Sequence, residues 1–192
     1  MGAFAGIVDT YGGRVSMVWE QGALIDNNKV LKPSGVCSAC AMIWIKQQKS
    51  GRAFYSYINS DTGKKDLLYI ARLILSEQGG PQDYMSAYLK DVGLTLKSFQ
   101  PVYVMDNGKS SVSMNKLTAA LKGEKGYYVI SIYKPDKAGH AIAANMYHNR
   151  LFDPNYGAAQ FDDPDSLAWA LALLLRQSYG VFLSKATVER YA

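Results

Sequence analysis

At Tyr127 the chain changes period. Before it, apolar residues recur three and four apart. After it, Tyr127–Tyr133 (YYVISIY) and His140–Tyr147 (HAIAANMY) are short runs of β-branched, aromatic and small residues, separated by turn-forming stretches. Arg150–Phe152 follows the turn at His148-Asn149, and Asp153-Pro154-Asn155-Tyr156-Gly157 turns the chain again before Ala158–Phe161. This pattern predicts an antiparallel meander, closed by a helix over Leu167–Tyr179 behind the capping run Asp163-Pro164-Asp165-Ser166 and a last strand over Val181–Tyr191.

The preceding part reads as helical. CSACAMIWIKQQKSG forms one helix after the break Pro33-Ser34-Gly35, ending near Gly51. DLLYIARLILSEQGG forms a second, which stops at Gly79-Gly80, and Pro81 opens a third over PQDYMSAYLKDVGL. Ser113–Leu121 forms a short fourth, closed by Gly123. At the N-terminus, Phe4–Val8 and Arg14–Trp19 flank Tyr11-Gly12-Gly13 and are read as a hairpin. Helices first and an antiparallel sheet second define an α+β domain, with a helical part at about 30–121 and a sheet part at about 126–191. A chain of 192 residues without repeats, low-complexity tracts or a linker fits a single domain, 1–192.

The two cysteines, Cys37 and Cys40, stand three apart at the start of the first long helix. A zinc site needs a second ligand pair, and His140 and His148 are eight apart rather than three to five. A redox pair of the thioredoxin kind would follow a strand directly, whereas KPSG stands here. A helix N-terminus offers unpaired N–H donors and a partial positive charge, which favour a thiolate at Cys37. Cys40, a turn further in, has the surroundings of a small core residue. Taken alone, the stretch equally accommodates two structural thiols.

His140 follows Ala138-Gly139 and opens a strand, which lets its ring face a cleft from a fixed base; by itself it reads equally well as a structural histidine. His148, in the turn beside Asn149 and Arg150, reads as a solvated loop residue. Around that turn, Asp153 falls a few residues short of pairing directly with His140, so a diagonal reach or a bulge is needed to join them. The task suited to Asp153 is to accept an N–H from His140, hold its tautomer and stabilise the imidazolium. In isolation DPNYG is simply a turn. Cys, His and Asp in this order, the first on a helix and the others on adjacent strands, match the layout of papain-like cysteine proteases.

The chain resembles the YopT/AvrPphB-type bacterial cysteine proteases. The resemblance rests on Gly35-Val36-Cys37 followed by an apolar helix carrying Trp44-Ile45, on YYVISIY before Gly139-His140-Ala141-Ile142-Ala143, and on Phe152-Asp153-Pro154-Asn155-Tyr156-Gly157; it spans about residues 30–190. It implies a papain-like fold with Cys37, His140 and Asp153 as catalytic residues and no metal or organic cofactor. It further implies a protein substrate in a target cell, reached by secretion or injection from a bacterium. An inhibitory immunity protein is a further expected partner if the targets are bacterial. Relatives of this kind place a Gln or Asn shortly before the cysteine to bind the oxyanion. Here Val30, Leu31 and Lys32 stand there, and Gln21, Asn27 and Asn28 lie further back; Asn28 is the candidate donor. Deamidases, transglutaminases and acyltransferases use the same residue types, and a non-catalytic binding domain is the remaining alternative.

Composition sets the other bounds. No run approaches the length of a membrane span, and MGAFAGIVDTYGG lacks the basic and apolar regions of a secretory signal, so stable membrane insertion is not expected. The net charge of +5 is scattered over Lys46/Lys49/Arg52, Lys64/Lys65, Lys122/Lys125 and Lys134/Lys137, a basic surface without the dense patch of a nucleic-acid binder.

Overall fold

The computed structural model describes residues 2–22, 24, 36–76, 82–106, 109–133, 139–180 and 183–192. Its elements are α1 (Gly2–Thr10), β1 (Arg14–Val18), α2 (Cys37–Lys49), α3 (Phe54–Ile58), α4 (Asp61–Ser76), α5 (Gln82–Lys90), β2 (Leu96–Pro101), β3 (Tyr103–Asp106), β4 (Lys109–Val112), α6 (Met114–Lys122), β5 (Tyr127–Tyr133), β6 (Gly139–Asn145), β7 (Arg150–Asp153), β8 (Gly157–Gln160), α7 (Pro164–Ser178) and β9 (Lys185–Tyr191). Seven strands form one sheet in the order β1-β8-β7-β6-β5-β9-β2, and β3 pairs with β4 separately. All the pairs are antiparallel.

Both faces of this sheet are covered. One bears Tyr127, Val129, Ala141, Ala143, Phe152 and Tyr191, packed with α2 to α5. The other bears Tyr128, Ile130, Ile132, Ile142, Ala144 and Leu151, packed with α1, α6 and α7. This explains why YYVISIY is apolar almost throughout instead of alternating: neither face of β5 meets water. Double coverage also accounts for α2. Nine of its thirteen residues are buried, because the sheet lies on one side of it and α3, α4 and α5 on others. Trp44 anchors the contact, with its ring stacked on Phe152 at 5.5 Å between centroids. Trp44→Ala is expected to lower stability by about 3–5 kcal/mol, read as a shift in the urea midpoint.

Two expectations are corrected. Residues 2–10 are a helix rather than the first strand of a hairpin, because Phe4, Ile7 and Val8 fall at i, i+3 and i+4 and are buried together against the sheet face that carries α7. Only Arg14–Val18 is a strand, and it joins the far edge of the sheet through β8. The stretch expected to be helical as far as 121 also contains β2, β3 and β4. β2 pairs along β9, so that the part of the chain before β5 supplies both edges of the sheet.

The end of β7 prepares the site. β7 pairs with β6 only from Ala143 to Asn145, and beyond Asp153 the chain turns away into β8. Gly157 closes that turn at φ +111, and a Cβ there would run into the Met17 backbone of β1. β6 therefore continues past its neighbour, from Ile142 to Gly139, and opens a cleft in the sheet.

Candidate active site

The N-terminus of α2, the free stretch of β6, the end of β7 and the C-terminus of α7 converge at this cleft. Cys37 is the first residue of α2, and the His140 ring and the backbone N–H groups of Ala141 and Ser38 lie close enough to its sulfur to favour the charged form. His140 Nε2–H donates to Asp153 Oδ1 at 2.8 Å. With Nε2 so engaged, Nδ1 is the ring nitrogen that remains for the thiol. Extending the β6–β7 register by one step sets Asp153 across from Ile142, on the same face as His140 and two residues nearer the turn. The carboxylate and the ring thus meet diagonally.

Asp153 is fully buried, and its other partners fix its direction. Asn155 N–H donates to Oδ1 at 2.8 Å, and the Tyr179 hydroxyl donates to Oδ2 at 3.0 Å. Tyr179, just past the end of α7, also lies parallel to His140, with ring centroids 5.0 Å apart and an interplanar angle of 19°. Asn155 Nδ2 donates to the Tyr179 oxygen at 2.9 Å, and Asn155 Oδ1 accepts from Gln21 Nε2 at 2.7 Å. Gln21 N–H in turn donates to Pro154 O, which fastens the chain after β1 to the turn that carries Asp153.

Burial raises the pKa of the Cys37 thiol, but His140 and the two N–H groups outweigh it and hold the thiol below its ordinary range. Burial alone would lower the His140 pKa; Asp153 and Cys37 instead lift it to about 10. Both shifts favour the charged forms, drawing the pair toward imidazolium and thiolate. Burial, with the charge of Cys37 beside it, pushes Cys40 well up and leaves it a neutral thiol.

This pairing has a signature in stability. His140, raised when folded, contributes stability that is complete below about pH 6.5 and lost as pH rises toward 10. Cys37, lowered when folded, contributes stability present above its ordinary value of 9.0 and lost as pH falls toward its folded value. Below 9.0 the two contributions slope in opposite directions, that of His140 falling and that of Cys37 rising with pH. Cys37→Ser removes the rising slope, and urea midpoints of this variant are expected to fall more steeply with pH between 6.5 and 9.0 than those of the parent. Parallel pH profiles for the two proteins would refute the ion pair.

The structure thus brings together Cys37, His140 and Asp153. His148 is exposed in the β6–β7 turn. Asn28 lies outside the described residues, as do Gly35, Gly79, Gly80, Pro81 and Val181. Sequence reasoning passed over Tyr179, Asn155 and the use made of Gln21. A tyrosine at a helix end and an asparagine in a turn carry no local mark of function, and only their shared distance from Asp153 singles them out. Among the described residues, no group of side chains could hold a metal ion, and no helix is long and apolar enough to cross a membrane.

A cysteine-bearing helix packed on an antiparallel sheet, with Cys, His and Asp gathered in the cleft between them, has the arrangement of a papain-like α+β fold. Residues 6–185 match the Peptidase_C58 family, the Yersinia/Haemophilus virulence surface antigen family, and the chain belongs to it. The fold is similar to the crystal structure of the Pseudomonas avirulence protein AvrPphB, with a TM-score of 0.62 and 16% identity over 86% of this chain and 95% of that one. A weaker likeness, with a TM-score of 0.46 and 13% identity over 98% of this chain and 57% of the other, links it to PatoxP, a cysteine protease-like domain of the Photorhabdus asymbiotica toxin PaTox. None of the curated proteins matches the sequence at a significant level.

Proposed function

We propose that the chain is a cysteine endopeptidase, delivered by a bacterium into a target cell, which hydrolyses a peptide bond in a protein there. The observation that carries this reading is the contact of a helix-start cysteine with a histidine whose far nitrogen is held by a buried aspartate. Membership of a virulence-associated peptidase family supports the delivery.

The Cys37 thiolate attacks the scissile carbonyl carbon, forming a C–S bond and an oxyanion. The Cys37 backbone N–H, at the start of α2 where helix donors lack intrahelical partners, is the donor proposed for that charge. His140 passes its Nδ1 proton to the leaving amine as the C–N bond breaks, which leaves a thioester and a neutral imidazole. The imidazole then takes a proton from water, the hydroxide adds to the thioester, and Cys37 departs as thiolate with His140 again protonated. Asp153 keeps Nε2–H engaged throughout and balances the imidazolium charge.

N-terminal profiling of target-cell lysate treated with the parent protein or with Cys37→Ala tests this. New protein N-termini are expected with the parent alone. Identical sets of termini would defeat the proposal, and a side-chain amide converted to acid with the backbone intact would replace it with a deamidase. If the substrate is a bacterial protein, an immunity protein covering this cleft is the expected partner in the producing cell.

A further inference from the structure

We infer that Tyr179 is a positioning residue for this site, its hydroxyl and its ring acting in opposite directions on how firmly Asp153 holds the His140 imidazolium. The inference rests on the proposed use of Cys37 and His140. Two separate contacts carry it. The hydroxyl donates to the Asp153 carboxylate at 3.0 Å from Oδ2 and 3.2 Å from Oδ1. The ring lies over the imidazole at 5.0 Å.

The hydroxyl contact fixes a proton count. Burial and the charge of Asp153 push the Tyr179 hydroxyl well above its ordinary range, so it keeps its hydrogen. That hydrogen goes to Asp153, and the oxygen's lone pair accepts from Asn155 Nδ2. Tyr179 is thus a permanent donor to Asp153 and shares the carboxylate's negative charge with His140. If only the O–H is removed, the carboxylate has one donor fewer and draws more strongly on the imidazolium. If the whole ring is removed, water gains access to one face of the His140–Asp153 hydrogen bond, which is weakened by the higher local dielectric. The groups facing His140 are Cys37 from α2, Asp153 from β7 and Tyr179 from the end of α7.

A residue that merely fills space would not shift the histidine in two directions. The chain has only two histidines, so ring nitrogen NMR yields two titrations, with exposed His148 as the internal reference. With Tyr179→Phe the His140 midpoint is expected to move up by about half a pH unit, and with Tyr179→Leu to move down by about one or more, with His148 unmoved in both. An unshifted Tyr179→Phe protein, or two variants shifted in the same direction, would overturn the inference. Should Tyr179→Leu fail to fold, the isosteric Tyr179→Phe decides the matter by itself. The titration needs no substrate, so a parent protein that cuts no peptide bond would end the proposed function without touching this result.

Discussion

Cys37→Ala is expected to lower peptide-bond cleavage by about 10³-fold or more, while Cys40→Ala leaves it within a few-fold. Both cysteines are buried at the start of one helix, and their difference is one of charge. His140 and the N–H groups of Ala141 and Ser38 favour the thiolate of Cys37 and lower its pKa. Cys40, fully enclosed in the core beneath, has its pKa raised. Iodoacetamide at neutral pH separates them without a substrate: Cys37 should react faster than an ordinary thiol, and His140→Ala should abolish that advantage. Labelling of Cys37 at the rate of a free thiol, unchanged by His140→Ala, would leave the chain a binding domain and remove the nucleophile from the proposed mechanism.

Asp153→Ala is expected to damage activity and stability together. The carboxylate accepts from His140, Asn155 and Tyr179, so its removal leaves three part-buried donors without that acceptor and an imidazolium without its counter-charge. Breaking a buried pair in this way typically costs about 3–5 kcal/mol, and loss of the group that orients the histidine should lower kcat by about 10²-fold or more. Urea denaturation and a cleavage assay on the same preparation would check both. A variant within threefold of the parent's kcat would show that His140 is oriented by something else. Tyr179 is the nearest alternative, since its ring would remain over the imidazole.

Much of this architecture is written locally. The helical period at 37–49, the cap and proline before α7 and the continuous apolar runs of β5 and β6 each mark an element from its own residues. The errors fall where local and distant preferences compete. GAFAGIVDT is short and rich in small and β-branched residues, and the following Gly12-Gly13 imitates a hairpin turn. Its buried face against the α7 side of the sheet decides for helix. LKSFQP and KSSV are polar, proline-ended or serine-rich stretches with little strand character of their own. They are strands because β9 and β3 present them with backbone partners.

By itself, the sequence determined which residue types stand at which element ends: a cysteine at a helix start, a histidine at a strand start and an aspartate at a turn. Each follows from chain-local rules of capping and turn formation, which need no knowledge of distant residues. Only the tertiary structure decided that these ends meet, that Tyr179 braces Asp153, and that Gln21 holds Asn155 and the turn on which Asp153 stands. The physical reason is that β7 stops pairing with β6 at Ala143, and a strand that outruns its neighbour leaves a gap which the ends of helices on both faces can enter. Such a gap depends on sheet register and on packing across two cores, and neither is encoded in any one stretch of residues.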